Sequence, residues 1–435
     1  MPISNPADAA RIGHASVRGW LWIVLATLLL TANAVAGSEP EDVPGADIGT
    51  IRNWLLAHNP DLAVLRAQAD AARAGVVSAA ALPDPSIVIT RQDGVAGYPA
   101  GMPTVGDATS YEIRQRIPLW GKRALARSIA QAQAQTADDA RRALALDLLA
   151  QAETAYVRYW HAQASLRLIQ ARLLVLDQLV QVARDRQARA LGAQRDLLRA
   201  QLARASALGE RIDRQQAGTE AGIALNRLLG RRIDARLLAP ATTPQLAVAS
   251  GDLAAALAQL ERGAHPALQG ARAQLTAATD TLRLRQRERW PDVTLGVGAM
   301  QRGSRLDGRE LMLEVELPLQ RGALAARERQ AQSLADAAQA GLDARQAQLG
   351  ADLGLAWTQW QAARQRRTLL EDTRSVHSRA AFDTALADYR LGLADFDAVL
   401  EALAQWQDTQ LSLIDAQRDE AIAAAAIRAL TGDTP

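Results

Sequence analysis

No cysteine occurs among the 435 residues. That excludes disulfides, thiolate metal sites, cysteine nucleophiles and a lipid-modified N-terminal cysteine together. Aromatic residues make up only 4% of the chain, low for an ordinary globular core. Neither charge is in excess: 49 Lys plus Arg stand against 47 Asp plus Glu, a formal balance of +2. A nucleic-acid binder needs a concentrated basic face, so that class is set aside. After the N-terminal region no apolar run is long enough for a transmembrane helix. Any crossing of a bilayer must therefore use strands. The usual marks of catalysis are missing as well. His14 lies near the N-terminus, and His58, His161, His265 and His377 are scattered with no pair at ligand spacing. There is no phosphate-binding glycine loop and no nucleophile elbow. The expectation is a protein with no cofactor, no metal site and no enzymatic activity; His58 and His265 read as junction residues beside Pro60 and Pro266.

Proline is missing too, over two long tracts: from Pro118 to Pro240 and from Pro318 to Pro435. Proline interrupts helices, so both tracts are helix-permissive. Ala, Leu, Gln and Arg dominate the chain, and all four are strong helix formers. A Leu-Gly pair at 191–192 and again at 391–392 is the clearest break inside each tract. Residues 123–191 and 323–391 are then matching candidate helices of 69 residues, roughly 100 Å each at the α-helical rise. Such rods suit a coiled-coil scaffold or a tunnel wall. Gly350 and Gly354 mark possible weak points in the second.

The equal spacing extends beyond the rods. Asn59-Pro60-Asp61-Leu62 is echoed by His265-Pro266-Ala267-Leu268, and Pro83-Asp84-Pro85 by Trp290-Pro291-Asp292. Ile117-Pro118-Leu119 returns as Leu317-Pro318-Leu319, Trp160 as Trp360, and Leu229-Gly230 as Thr431-Gly432. With the Leu-Gly pair these are six echoes in one order at offsets of 200 to 208 residues. Internal duplication is the simplest source of such a pattern. The expected organisation is a signal peptide at 1–36, a first repeat at 37–240 and a second at 241–435. Arg11 and Arg18, the apolar stretch from Trp20 to Leu30 and small-residue sites at 32–36 support the leader.

Each repeat carries a pair of runs with period-two alternation, the pattern of a half-buried strand. Tyr111, Ile113, Ile117 and Leu119 alternate with Glu112, Arg114 and Arg116; Leu311, Leu313, Val315 and Leu317 alternate with Glu310, Glu314 and Glu316. Val293, Leu295 and Val297 form a third run, and residues 86–92 a weaker fourth. The expected strands are 86–92, 109–119, 292–302 and 310–319, joined by a Gly/Pro-rich loop at 93–108 and by 303–309. Lengths near ten residues match a tilted transmembrane strand, although alternation alone also fits soluble hairpins. Four strands cannot close a barrel, and an open edge in lipid leaves backbone groups unpaired. Two chains would give a filled eight-stranded barrel and three a twelve-stranded one with room for a pore. Glu112, Arg114, Glu314 and Glu316 would then face water. Trp120 and Trp290 stand at corresponding strand–helix junctions, where either an interfacial aromatic belt or simple junction packing fits.

The order helix, hairpin, long helix, break, helix, given twice after a leader, resembles the TolC-like outer-membrane efflux protein family over nearly the whole mature chain. Gln115-Arg116-Ile117-Pro118-Leu119-Trp120-Gly121-Lys122-Arg123 looks like the segment leaving the first hairpin in its heavy-metal efflux (CzcC/CusC-like) branch. Asp196-Leu197-Leu198-Arg199-Ala200 and Asp397-Ala398-Val399-Leu400-Glu401-Ala402 look like the tip motifs that follow glycine. The resemblance implies a mostly α fold with a small β part. It implies a homotrimer with a twelve-stranded barrel in outer-membrane lipid and an α-helical barrel in the periplasm. It further implies a periplasmic adaptor and an inner-membrane RND-type pump, with no nucleic-acid partner. The expected function is passive conduction of heavy-metal cations. The family's acidic tip ring places a candidate periplasmic gate at Asp395, Asp397 and Glu401. Leu393 and Ala394 depart from the family's latching arginine. Acids there also suit a helix start on electrostatic grounds alone. The alternatives are a soluble periplasmic coiled-coil scaffold, or the same channel serving a multidrug pump.

Overall fold

A computed structural model describes residues 43–92, 107–189, 193–248 and 251–432. The expected leader at 1–36, the break at 191–192 and most of the loop expected at 93–108 lie outside the described residues. Pro44–Pro435 form one compact unit; of the other, Met1–Val43, only Val43 is described. The first half runs α1 (Ile48–His58), α2 (Pro60–Ala80), β1 (Ser86–Gln92), β2 (Ala108–Ile117), α3 (Lys122–Ala188) and α4 (Gln194–Leu228). The second runs α5 (Leu253–Glu261), α6 (Pro266–Arg287), β3 (Asp292–Arg302), β4 (Arg305–Glu316), α7 (Arg321–Leu369), a π-turn (Leu370–Arg374), α8 (Ser375–Leu391) and α9 (Phe396–Thr431). The same series of elements is built twice, apart from the π-turn.

Local chemistry explains why the halves start alike. Asp47 caps α1 by accepting from Thr50 N at 2.8 Å, and Asp252 caps α5 by accepting from Ala255 N at 2.7 Å. The next helix opens with proline in its first turn in both halves, at Pro60 and Pro266. Asn59 Oδ1 accepts from Asp61 N and Leu62 N, and its Nδ2 donates to the Leu228 carbonyl at 3.1 Å. At the matching place His265 Nδ1 accepts from Ala267 N, and Nε2 donates to the Ala429 carbonyl, both at 3.2 Å. Two residue types therefore make the same pair of bonds. Each cap ties a helix start to the end of the last helix in its half.

The rods differ from expectation in instructive ways. α3 is continuous for 67 residues, roughly 100 Å, and stops at Ala188. The second rod is not one helix of residues 323–391: it is interrupted at Leu370–Arg374. Gly350 and Gly354 sit inside uninterrupted α7, supported by buried Leu349 and Leu353. The π-turn contains neither Gly nor Pro, so no local residue announces it.

Three apolar clusters hold the helices. Ile51, Leu55, Leu149, Tyr156 and Leu225 pack at the root of the first half. Leu260, Leu349, Leu353, Trp357 and Ile427 form the equivalent in the second. At the far end Leu176, Leu179, Phe382, Phe396, Val399 and Leu403 join α3, α8 and α9. The halves are not copies at every position. Where the second half buries Leu353, the first buries Glu153. Its carboxylate lies 2.6 Å from Arg52 Nη2 and 3.8 Å from Arg428 Nη1. A carboxylate at that depth requires such compensation, and here it links α1 and α3 to α9.

All four strands belong to one antiparallel sheet in the order β1-β2-β3-β4. The β2–β3 pairing joins the two halves directly. β4 begins at Arg305, not 310, and ends at Glu316, and β2 ends at Ile117, so Leu119 and residues 317–319 are not strand. The expected loop 303–309 shrinks to a two-residue turn, Gly303 and Ser304, with Gly303 at φ +61°. That conformation matches the twist of a tight hairpin and favours glycine.

Candidate functional site

The register sorts the sheet into two chemically opposite faces. One carries the rows Ile87–Ile113–Val297–Leu311, Gln115–Leu295–Leu313 and Ile117–Val293–Val315. Most of these side chains are exposed in the single chain, Leu311 by 86%. A contiguous apolar face of this kind marks contact with a membrane or another protein. The other face carries Val88–Glu112–Gly298–Glu310, Ser86–Arg114–Gly296–Met312, Arg116–Thr294–Glu314 and Asp292–Glu316. The four residues expected on the polar face, Glu112, Arg114, Glu314 and Glu316, share it.

Two glycines shape that polar face. Arg114 donates from Nε and Nη2 to Glu112 Oε2 at 2.8 and 2.7 Å. Glu112 is only 7% exposed because it lies down against β3. A Cβ at Gly296 would strike Glu112 Oε1, and one at Gly298 would come 2.8 Å from the Tyr111 carbonyl. Gly296 and Gly298 thus form the floor on which the ion pair rests.

At the strand–helix junctions Trp120 and Trp290 meet, with ring centroids 5.2 Å apart and planes tilted by 32°. Trp120 Nε1 donates to the Pro291 carbonyl at 2.9 Å. Both rings stay about half exposed, so mutual packing and an outward aromatic surface coexist. Trp120 has φ +60°, the one positive φ outside glycine among the described residues, and Gly121 follows at +74°. Beneath the rings lies an ion network that sequence reasoning missed. Asp292 accepts from Lys122 Nζ at 2.8 Å and from Arg116 Nη2 at 3.1 Å, and Arg116 reaches Glu316 Oε2 at 3.0 Å.

The candidate gate residues start α9. Asp395 is the N-cap residue without a side-chain capping bond, Asp397 lies in the first turn and Glu401 one turn on. Asp397 and Glu401, four residues apart, share a helix face. Asp397 is ion-paired with Arg199 of α4. Glu401 accepts from Gln405 Nε2 at 3.2 Å. Among the described residues neither Asp395 nor Glu401 has an ion-pair partner. Two further tip residues, Tyr389 and Arg186, went unnoticed in the sequence, and one of them binds Asp196 of the first tip motif. Tyr389 OH donates to Asp196 Oδ2 at 3.4 Å. Burial, then the Asp196 carboxylate, push the Tyr389 hydroxyl above the usual phenol range, so it remains a donor. Arg186 stacks on the Tyr389 ring at 4.8 Å and donates to the carbonyls of Tyr389 and Arg390 at 2.9 and 3.1 Å. It thereby satisfies the last carbonyls of α8. These partners lie some 200 residues apart in sequence, so no local motif could expose them.

This combination, long paired helices carrying one small antiparallel sheet with an apolar and a charged face, is the fold of solved outer-membrane efflux channels. VceC from Vibrio cholerae has 22% identity and a TM-score of 0.74 over 88% of this chain and 96% of that one. CusC has 16% identity and a TM-score of 0.76 over 92% and 95%. The open state of MtrE from Neisseria gonorrhoeae has 18% and 0.74 over 91% and 93%. No curated protein sequence matches. The family model for outer membrane efflux proteins matches residues 52–231 and 242–433, and the chain belongs to that family. It is a non-enzymatic outer-membrane efflux channel of tripartite systems, with a helical part in the periplasm. The scaffold alternative is thereby set aside. The heavy-metal branch is not singled out, since CusC, VceC and MtrE score alike. Among the described residues no helix is long and apolar enough to cross a membrane.

Proposed function

We propose that three copies share one twelve-stranded barrel and passively conduct heavy-metal cations, delivered by an RND-type pump through a periplasmic adaptor. The observation that carries this reading is the two-faced sheet. Within one chain β1 and β4 are its edges, and an edge in lipid must find a partner. Closure with neighbouring copies satisfies both edges, turns the apolar rows to lipid and turns the charged rows inward. The inward face then carries Glu112, Asp292, Glu310, Glu314 and Glu316 against Arg114 and Arg116. Rings of acids favour cations, which supports the cation reading over neutral or anionic cargo. We assign the export leader to 1–36 and the repeats to 37–240 and 241–435.

Asp395, Asp397 and Glu401 form the periplasmic mouth in this reading, with the Arg199–Asp397 pair and the Tyr389–Asp196 bond holding the two tips of a chain together. Neutralising Asp397 and Glu401 together lowers cation selectivity in planar-bilayer recordings; unchanged selectivity removes the gate assignment. Trp120 and Trp290 sit at the lipid–water boundary. Deleting the gene and challenging cells with zinc, cobalt, cadmium, copper and a dye panel tests the cargo. Metal sensitivity alone supports the reading, and dye sensitivity alone assigns the channel to a multidrug pump.

A further inference from the structure

Lys122 is the only lysine in the chain; the other 48 of the 49 basic residues are arginine. Its side chain is 10% exposed, and so is that of Asp292, with which it pairs. Nζ donates at 2.8 Å to two acceptors, the Trp290 carbonyl and Asp292 Oδ1. Both lie in the other half of the chain, 168 and 170 residues away. An ammonium directs three donors from a single narrow atom, whereas a guanidinium is a wide planar fork. A backbone carbonyl and a carboxylate that converge on one enclosed point fit the first and not the second. This is a physical reason for the one lysine to stand here.

The clamp sits where every strand–helix crossing meets. Asp292 also accepts from Leu119 N at 3.3 Å, holding the turn between β2 and α3. Arg116 carries the network to Glu316, the last residue of β4. Gln115 Nε2 donates to the Pro83 carbonyl at 2.7 Å, which brings in the link between α2 and β1. Directly before Lys122 the backbone is left-handed at Trp120 and Gly121. A bulky residue held in that region needs surrounding structure to fix it. The Lys122 clamp and the Trp120–Pro291 bond are what the structure supplies.

We propose that Lys122 is a positioning residue for channel assembly: by clamping the start of α3 to the start of β3, it sets the direction in which all four strands leave the helices, and sheet closure between copies depends on it. This rests on the reading that several copies share one barrel. The full-length protein in detergent provides the test, through the parent, K122M and K122R. Methionine keeps the unbranched shape without donors; arginine keeps the charge without the geometry. Both variants retain parental helix content by far-UV circular dichroism. Both lose the part of the near-UV signal that W120F removes from the parent. Their yield of detergent-resistant oligomer falls about tenfold, the scale of a lost charge-assisted hydrogen bond. Oligomer at parental yield in either variant, from an oligomeric parent, overturns the proposal alone. A parent that is itself monomeric overturns the shared-barrel reading and the proposal with it. If neither variant folds, amine labelling of the parent decides. A water-soluble N-hydroxysuccinimide ester reacts with Lys122 only after unfolding if the clamp is closed, and equally fast before and after if the proposal is wrong.

Discussion

A helix cap made of imidazole titrates, and one made of an amide does not. Asn59 and His265 make the same two bonds in the two halves, so the second half has a pH dependence that the first lacks. Burial is the main cause holding His265 below the usual imidazole range; the bond to the Ala429 carbonyl opposes it only in part. The folded state therefore favours the neutral ring, whose Nδ1 accepts from Ala267. For a depressed value the contribution is full above the unfolded value of about 6.5 and is lost as pH falls towards the folded one. H265N keeps both bonds without titrating. Between about pH 7.5 and about pH 5.5 the parent loses more thermal stability than H265N, by about 1 kcal/mol, the usual worth of a cap. Equal losses in thermal melts contradict the assignment. Glycine makes the second prediction at this scale. A Cβ at Gly296 meets the end of the Glu112 side chain, which can swing away, but at Gly298 it meets the Tyr111 backbone. G298A therefore costs about 1–3 kcal/mol and G296A less, read as the heat needed to dissociate the oligomer.

At the scale of elements, the strands divide labour by parity. Leu313 lies on the apolar face, between Met312 and Glu314 of the charged one. L313R costs roughly 2–4 kcal/mol if that face lies in the bilayer core, and E314R far less, measured as membrane-inserted yield. Similar yields for both contradict the assignment of faces. Much of this was legible in the sequence, because alternation and proline-free tracts are local signals. Ile113, Leu295 and Leu313 announced their strands through alternation with charged or small neighbours. The first turns of β4 were not legible, since Arg305, Gly308 and Arg309 look like loop; pairing with β3 overrides that preference. The π-turn was invisible for the opposite reason, as Leu370, Glu371 and Thr373 suit an ordinary helix. Gly350 and Gly354 misled, because helix propensity is a weak prior against tertiary support.

For the whole chain, duplication was legible because six short echoes fall in one order at nearly one spacing. The contacts that join the halves were not. Lys122–Asp292, Arg199–Asp397 and Glu153–Arg428 each connect residues at least about 170 positions apart. Of these, Arg199–Asp397 lies at the candidate tip and compensates Asp397 there. Two halves still leave an open four-stranded sheet, which is why a channel needs further copies. The most direct measurement exploits the missing cysteine. Single cysteines placed in turn at Leu311, Met312, Leu313, Glu314 and Val315 are exposed to a charged, water-soluble maleimide in proteoliposomes. Positions 312 and 314 react and positions 311, 313 and 315 stay protected, the period of two set by lipid on one face and water on the other. Equal reactivity at all five positions contradicts the account.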